Sequence, residues 1–368
     1  MNLFLKLFLS LPSALYGVGV EMRNAFFDMG LLKSKEFNLP VIGVGNITIG
    51  GTGKTPHVEY IVSVLKDDYR VAVLSRGYKR KSKGFVLASP DSTVEDLGDE
   101  PYQIYKKFDN ITVACCADRV KGVNRLLAMP EPPEVIVLDD VFQHRYIKPR
   151  MNILLTDYNR PMYEDHILPL GRLRERYADA KRRATHVIVT KCPESITPIG
   201  RRVIHNNLEL YPFQDLYYSR VVYSSPRSYA GETVDCGFKE WLEGMAAGSS
   251  ILLFTGIASP GPLLDFIKEN YKGELVHRSF ADHHRFTKRD IAGISQAYSE
   301  LKGEDKVVLT TEKDFVRLSG TELPEWKNRM YCVPIELRFM YGSENISFKD
   351  SLIKYVEDNR RNGKVLKK

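Results

Sequence analysis

The stretch "VGNITIGGTGKTPHVEY" (residues 44–60) restricts the fold of this chain more than any other. A β-branched run, VIGVG (41–45), leads into it, and a segment with helical spacing, PHVEYIVSVLKD (56–67), leaves it. A strand that passes into a helix through a glycine-rich turn is the opening unit of a doubly wound α/β sheet. Gly50, Gly51 and Gly53 let backbone N–H groups converge on an anion that a Cβ would obstruct. Lys54 is spaced to reach the outer oxygens of a nucleotide phosphate, and Thr55 to place its hydroxyl on Mg²⁺. Pro56 is tolerated in the first helical turn, where its missing N–H costs nothing. The expected cradle is therefore Ile49, Gly50, Gly51, Thr52, Gly53, Lys54, Thr55 and Pro56. One departure stands out: the usual pattern G-x-x-x-x-G-K-[ST] opens on a glycine, and here Thr48 occupies that place. The glycine pair closer to the helix takes over its role.

The strands beyond the loop confirm the architecture. RVAVLS (70–75), NITVACC (110–116), EVIVLDD (134–140), MNILLTD (151–157) and THVIVTK (185–191) are continuous apolar runs rather than alternating ones, separated by helical stretches. That pattern belongs to a mostly parallel sheet covered on both faces. It predicts a P-loop NTPase-like core domain over 36–215. A second alternation of strands and helices predicts a smaller α/β domain over 216–345, and 346–368 reads as a basic C-terminal helix. With 43% hydrophobic and 27% charged residues in 368, the chain has material for two ordinary cores. Its formal charge of +7 suits an anionic ligand or an anionic surface without choosing between them. Five scattered cysteines without C-x-x-C spacing argue against a disulfide framework and a zinc site, and for a reducing compartment.

Residues 1–35 admit two readings. MNLFLKLFLSLPSALYGVGV is apolar but interrupted by Lys6, Ser10, Pro12, Gly17 and Gly19, too broken for a spanning helix and wrongly charged for a secretory signal. It is either a buried helix or an interfacial one whose Leu/Phe face dips into one leaflet, with Arg23, Lys33 and Lys35 meeting anionic headgroups.

A phosphate loop needs a carboxylate near its metal. EVIVLDDVFQHR puts Asp139 and Asp140 at the carboxyl end of a strand, where open α/β sheets bind ligands. Asp139 is the first choice for Mg²⁺, with Asp140, Gln143 and Glu100 as further candidates. The guanine-reading pattern [NT]-K-x-D is broken, because Thr190-Lys191 is followed by Pro193 where its aspartate belongs. ATP is the expected nucleotide. Asp99 and Glu100 (DLGDEPYQ) open a helix, and FADHHRF (280–286) places His283 beside an acid. Either could be a cap or a surface loop; together they could orient and deprotonate a hydroxyl acceptor. Six basic residues between 172 and 183 fit either a solvated helix face or a phosphate clamp, and Arg119 is a similar clamp candidate. Nucleic acid would want basic residues interleaved with aromatics, which is not the pattern here.

Taken together, GGTGKTP, VAVLSRGYKR, GDEP, ADRVKG, DDVFQHR, LPLGRLRE, TGIASP, FADHHRF and LTTEKDFVRL resemble, in order and over nearly the whole chain, the tetraacyldisaccharide 4′-kinase (LpxK) family. The resemblance implies transfer of the ATP γ-phosphoryl group to the 4′-hydroxyl of a tetraacylated glucosamine disaccharide 1-phosphate in lipid A biosynthesis. It implies Mg²⁺, a lipid substrate, and a monomer bound peripherally to the cytoplasmic face of the bacterial inner membrane. It maps a catalytic pair onto Asp99 and His283 beside Lys54, and substrate contacts onto Arg119, Arg174, Arg76, Tyr78 and His144. It also favours the interfacial reading of the N-terminal helix and makes the basic tail a second membrane contact. Arg172, where proline is common, and Ala258-Ser259, where Gly-Asn is expected, depart from the pattern away from the loop and the base. A partner-switching P-loop ATPase, which carries a signature lysine before its paired glycines, is the alternative; Ile49 in that place opposes it. A membrane-bound nucleotide scaffold without chemistry would have no use for Asp99 and His283.

Overall fold

The structure, a computed structural model, describes residues 3–246 and 248–365. Its strands are β1 (Val41–Asn46), β2 (Val71–Ser75), β3 (Val86–Leu87), β4 (Thr112–Cys115), β5 (Val135–Asp139), β6 (Met151–Asp157), β7 (His186–Thr190), β8 (Asp215–Tyr223), β9 (Arg227–Ser228), β10 (Ser250–Thr255), β11 (Glu274–Ser279), β12 (Lys306–Thr311), β13 (Met330–Val333) and β14 (Ile335–Phe339). They form two sheets. The larger runs β14-β8-β7-β6-β1-β5-β2-β4-β3, parallel from β8 to β4 with an antiparallel strand at each edge. The smaller runs β11-β10-β12-β13-β9, parallel except for β9.

Side-chain alternation along fully buried strands separates two cores. Ile42, Val44, Val71, Val73, Val135, Val137 and Ile153 face the helix Lys54–Leu65 and the C-terminal helix Gly342–Val365. Their neighbours Val41, Ala72, Leu74, Ile136 and Leu138 face the helix Arg119–Leu127 on the opposite side. The crossover at β1, flanked by β5 and β6, opens the crevice at the strands' carboxyl ends where the candidate residues collect.

Two expectations change. Residues 216–345 do not form one unit around the smaller sheet: β8 and β14 pair with each other at the edge of the larger one. The smaller sheet is an excursion between them. A strand's sequence displays its period but not its partner, so DLYYSRVVYSS gave no sign of which sheet it joins. The C-terminal helix starts at Gly342 and buries Phe348, Leu352 and Val356 in the main core. That apolar face is therefore spent on the protein, while residues 366–368 of the expected basic tail lie outside the described residues.

The N-terminal helix, Leu3–Asp28, does the reverse. A narrow stripe of Ser13, Gly17, Asn24 and Phe27 docks on the core, through Ser13 Oγ to the Ile167 carbonyl (2.8 Å) and Asn24 Nδ2 to Glu175 (3.4 Å). Phe4, Phe8, Leu11, Leu15, Val18 and Met22, at alternating steps of four and three residues, all face outward, Leu11 at 67% exposure. Of the expected headgroup contacts, Lys33 is exposed, Lys35 donates to Asn124 (3.0 Å), and Arg23 turns inward to the Gln143 carbonyl (3.2 Å). No helix among the described residues is long and apolar enough to cross a membrane.

Candidate active site

The loop after β1 is a glycine turn with φ of 103° at Gly50 and 86° at Gly53, which a side chain would strain. A Cβ at Gly50 or Gly51 would meet nothing within 4 Å, so the loop faces open space. From behind, the loop is braced by residues that the sequence reading used only to judge the base. Thr190 Oγ1 donates to the Thr52 carbonyl (2.9 Å), and Lys191 Nζ to the Gly51 carbonyl (2.5 Å) while paired with Asp157 (2.9 Å). His57, buried, donates from Nδ1 to the Gly53 carbonyl (2.7 Å) and accepts from Ser219 Oγ at Nε2 (3.0 Å). Burial pushes its pKa down to about 4, so it stays neutral. The strand-end motif TK and the histidine after GKTP carried this bracing signal.

Lys54 Nζ points at Asn46 Oδ1 (3.3 Å) and Asp140 Oδ1 (3.6 Å). Asp139, at the end of β5, accepts from Ser75 Oγ through Oδ2 (3.2 Å). Oδ1 of Asp139, Oδ1 of Asp140 and Oγ1 of Thr52 are buried with no hydrogen bond. Burial, reinforced by the charge of Asp140, raises the Asp139 pKa to about 6. A divalent cation would remove that penalty. Asp140 holds the left-handed φ of 49°, and its carbonyl accepts from Arg119 Nη2 (3.4 Å).

Arg119 is placed differently from the expectation. It is 1% exposed, and its guanidinium donates to the carbonyls of Cys116 (3.1 Å), Ala117 (3.3 Å), Asp139 (2.9 Å) and Asp140 (3.4 Å). It lies beneath the acidic turn as a brace and presents nothing to a substrate. Gln143 is also committed: Nε2 donates to the Asn46 carbonyl (2.8 Å) and Glu175 (3.2 Å), and Oε1 accepts from Arg174 (3.1 Å). With both amide ends occupied it is a strut, not a free metal ligand. His144 receives the Arg119 N–H at Nε2 (3.4 Å), and burial lowers its pKa to about 4. Arg76 and Tyr78 are exposed.

Of the six basic residues from 172 to 183, only Arg174 reaches the acidic turn, with Nη1 3.6 Å from Asp140 Oδ1. Arg172 pairs with Asp165 (2.9 Å), Arg176 with Glu21, Lys181 with the Glu209 carbonyl (2.7 Å), Arg182 with Asp179 (2.5 Å) and Arg183 with Glu175 (2.7 Å). Glu175, which the sequence reading passed over, is the buried node joining Asn24, Gln143 and Arg183.

The acceptor candidates come together from two lobes. Asp99 opens the helix Asp99–Lys107 of the larger lobe; His283 follows β11 in the smaller one, at φ 59° with its N–H on the Gly256 carbonyl (3.2 Å). His283 Nδ1 lies 2.7 Å from Asp99 Oδ2, so it donates to the carboxylate. Burial alone would raise the Asp99 pKa, but the His283 hydrogen bond and the Arg317 guanidinium outweigh it and hold it at about 2. Glu100 is paired with Lys313 (2.6 Å), and the ring of Tyr78 stands edge-on to His283 at 5.6 Å.

This chain matches, over residues 5–356, the family described as LpxK: Tetraacyldisaccharide-1-P 4′-kinase. The tetraacyldisaccharide 4′-kinase of Bacteroides thetaiotaomicron is 47% identical over 95% of this chain and 93% of its own length. That of Parabacteroides distasonis is 46% identical over 96% of each. Among solved structures, LpxK from Aquifex aeolicus in complex with ATP superposes with a TM-score of 0.71 at 30% identity, covering 96% of this chain and 99% of that one. A match of this extent, on a chain that carries the glycine loop with Lys54 and the Asp99–His283 pair, has one meaning: the chain belongs to the tetraacyldisaccharide-1-P 4′-kinase family.

Proposed function

We propose that this protein transfers the γ-phosphoryl group of ATP to the 4′-hydroxyl of tetraacyldisaccharide 1-phosphate, forming lipid IVA. The observation that carries the mechanism is the 2.7 Å pair of Asp99 and His283, contributed by separate lobes, together with the Lys54–Asp140 pair at the glycine loop. Backbone N–H groups of residues 49–55 cradle the phosphates, and Lys54 exchanges Asn46 and Asp140 for phosphate oxygens. The acceptor oxygen attacks the γ-phosphorus, the bond to the bridging oxygen breaks, ADP leaves, and the hydroxyl proton passes to Asp99. A carboxylate held at about 2 is a weak base, so Asp99 orients the hydroxyl and takes its proton late, as a loose transition state allows. Arg174, and the exposed Arg76 and Tyr78, line the substrate side, while Arg119 and His144 support the acidic turn from below.

The donor set suits Mg²⁺. No group of three or more His, Cys, Asp or Glu among the described residues is arranged to hold a metal. Mg²⁺ does not need one, since it takes one or two carboxylates together with waters and phosphates. Thr55, Asp139 and Asp140, the last two each with a buried oxygen that accepts no hydrogen bond, would hold it, with Glu100 available once freed from Lys313. Bound there, it would neutralise charge on the transferring phosphoryl group.

We read the protein as a monomer held peripherally at the cytoplasmic face of the bacterial inner membrane beside its lipid acceptor; the outward ridge of the N-terminal helix supports the membrane contact in that reading. The direct test is ADP release with purified protein. Release that requires detergent-dispersed tetraacyldisaccharide 1-phosphate supports the kinase; release driven by a protein partner and indifferent to lipid selects the partner-switching ATPase instead.

A further inference from the structure

The segment LTTEKDFVRL (309–318) ends β12 and forms the short helix Glu312–Arg317. Its charged side chains tie the smaller lobe to the larger one. Glu312 Oε2 accepts from Lys107 (3.3 Å) and Lys313 donates to Glu100 (2.6 Å). Asp314 accepts from Gly256 N (2.9 Å) and Thr311 Oγ1 (2.7 Å). Because Asp99 and Lys107 are the two ends of one helix, the smaller lobe grips that helix at both ends.

Arg317 is the member that touches the reacting carboxylate. Its side chain is 3% exposed. Nη1 donates to Asp314 Oδ1 (2.7 Å) and to the Gly256 carbonyl (2.7 Å), which anchors the guanidinium in its own lobe. Nε (2.9 Å) and Nη2 (2.7 Å) both donate across the lobe boundary to Asp99 Oδ2, the oxygen that also receives His283 Nδ1–H. All of these bonds fall on Oδ2, and Oδ1 takes part in none of them.

We propose that Arg317 is a positioning residue for phosphoryl transfer: anchored by Asp314 and Gly256, it fixes Oδ2 of Asp99 jointly with His283 and so leaves Oδ1 as the oxygen that meets the acceptor hydroxyl. A carboxylate pinned through one oxygen by a planar fork keeps one orientation, and the fork exists only while the two lobes are in register. Lysine cannot replace it, because one ammonium cannot serve Asp99, Asp314 and the Gly256 carbonyl in that fixed geometry. The inference rests on reading Asp99 as the group that receives the acceptor's proton.

The test is a double-mutant cycle on kcat with saturating lipid acceptor, using wild type, Arg317→Lys, Asp99→Ala and the double variant, with KM for ATP measured alongside. Arg317→Lys should lower kcat by roughly 10- to 100-fold, the scale of a misplaced reacting group, while KM for ATP changes by less than about twofold. In the Asp99→Ala background the same substitution should cost little more, about threefold or less, because its target is gone. Equal losses in both backgrounds would mean that Arg317 does not act through Asp99, and a near-normal kcat with lowered thermal stability would reduce it to a lobe brace; either overturns the proposal. Undiminished kcat in Asp99→Ala alone would remove the base reading and this inference with it. Should Arg317→Lys fail to bind nucleotide, Arg317→Gln combined with Asp314→Asn keeps the buried charge balanced and takes its place in the cycle, with the same expected split.

Discussion

In the proposed phosphate loop the backbone would do the binding, through the N–H groups of residues 49–55. On the acceptor side Arg317, His283, Lys313 and Glu312 of the smaller lobe converge on one helix of the larger, which begins at Asp99 and ends at Lys107. The two constructions tolerate change differently. A cradle made of N–H groups accepts Thr48 in place of a glycine, because the turn needs only its positive φ angles, and Gly50 and Gly53 provide those. The acceptor cluster works through particular atoms, Oδ2 and Oδ1 of a single carboxylate, and has no such redundancy. Within the loop itself the exception is Lys54, its one long side chain, and it should behave like an acceptor-side residue.

That exception gives the largest expected effect. Lys54→Ala should abolish turnover with detergent-dispersed acceptor, because nothing else in the loop carries charge to the transferring group. Measurable ADP release at saturating ATP would take the loop out of the mechanism. Next comes Asp99→Ala, expected to lower kcat by about 10² to 10⁴, the usual worth of a general base. If instead only KM for the lipid rises, Asp99 merely binds, and the contrast between a backbone side and a side-chain side collapses into two binding sites.

The same contrast explains what could be read from the chain. The glycine turn and the strand-end positions of Asp139 and Asp140 were legible because a strand, a turn and a helix that follow one another in sequence also adjoin in space. Asp99 and His283 were paired through the family resemblance, since 184 positions separate them and spacing alone cannot join them. Arg317 was quoted within a motif yet given no role, because its partner lies 218 residues away. Arg119 shows the opposite failure. An arginine opening a helix at the sheet's carboxyl end has the pattern of a phosphate clamp, but burial is a property of the packed molecule, and four backbone carbonyls claim its guanidinium. The lobe boundary was misplaced for a related reason: β8 and β14 pair across more than a hundred residues.

Glu175 offers an intermediate test, since it links the N-terminal helix to the donor side through Asn24 and Gln143. Glu175→Ala should leave Arg183 without its carboxylate partner and cost a few kcal/mol, roughly 2–4. Thermal unfolding should show this directly. Turnover should fall only several-fold, mainly as a higher KM for ATP, because Gln143 keeps its bonds to the Asn46 carbonyl and Arg174. A loss of kcat as deep as that of Asp99→Ala would mean that the donor side too depends on one side chain, and the two constructions would not differ.

The smallest effect on chemistry is expected where the apolar surface is largest. Leu11 and Leu15 of the N-terminal helix stand 67% and 68% exposed, one turn apart, on the face opposite the docking stripe of Ser13, Gly17, Asn24 and Phe27. Burying each in a leaflet gains about 1.5–3 kcal/mol, and replacing both with aspartate adds the repulsion of anionic headgroups. The variant Leu11→Asp/Leu15→Asp should therefore bind vesicles containing anionic lipid at least tenfold less tightly, since each 1.4 kcal/mol is tenfold. In detergent-dispersed acceptor its kcat should stay within about twofold, because neither side chain touches the docking stripe and the Asn24 link to Glu175 remains. Flotation of the protein with vesicles separates the two outcomes cleanly. Undiminished flotation would assign membrane contact to another surface; a collapse of kcat in detergent would mean that this helix face belongs to the acceptor side after all, holding the acyl chains while Asp99 meets the sugar.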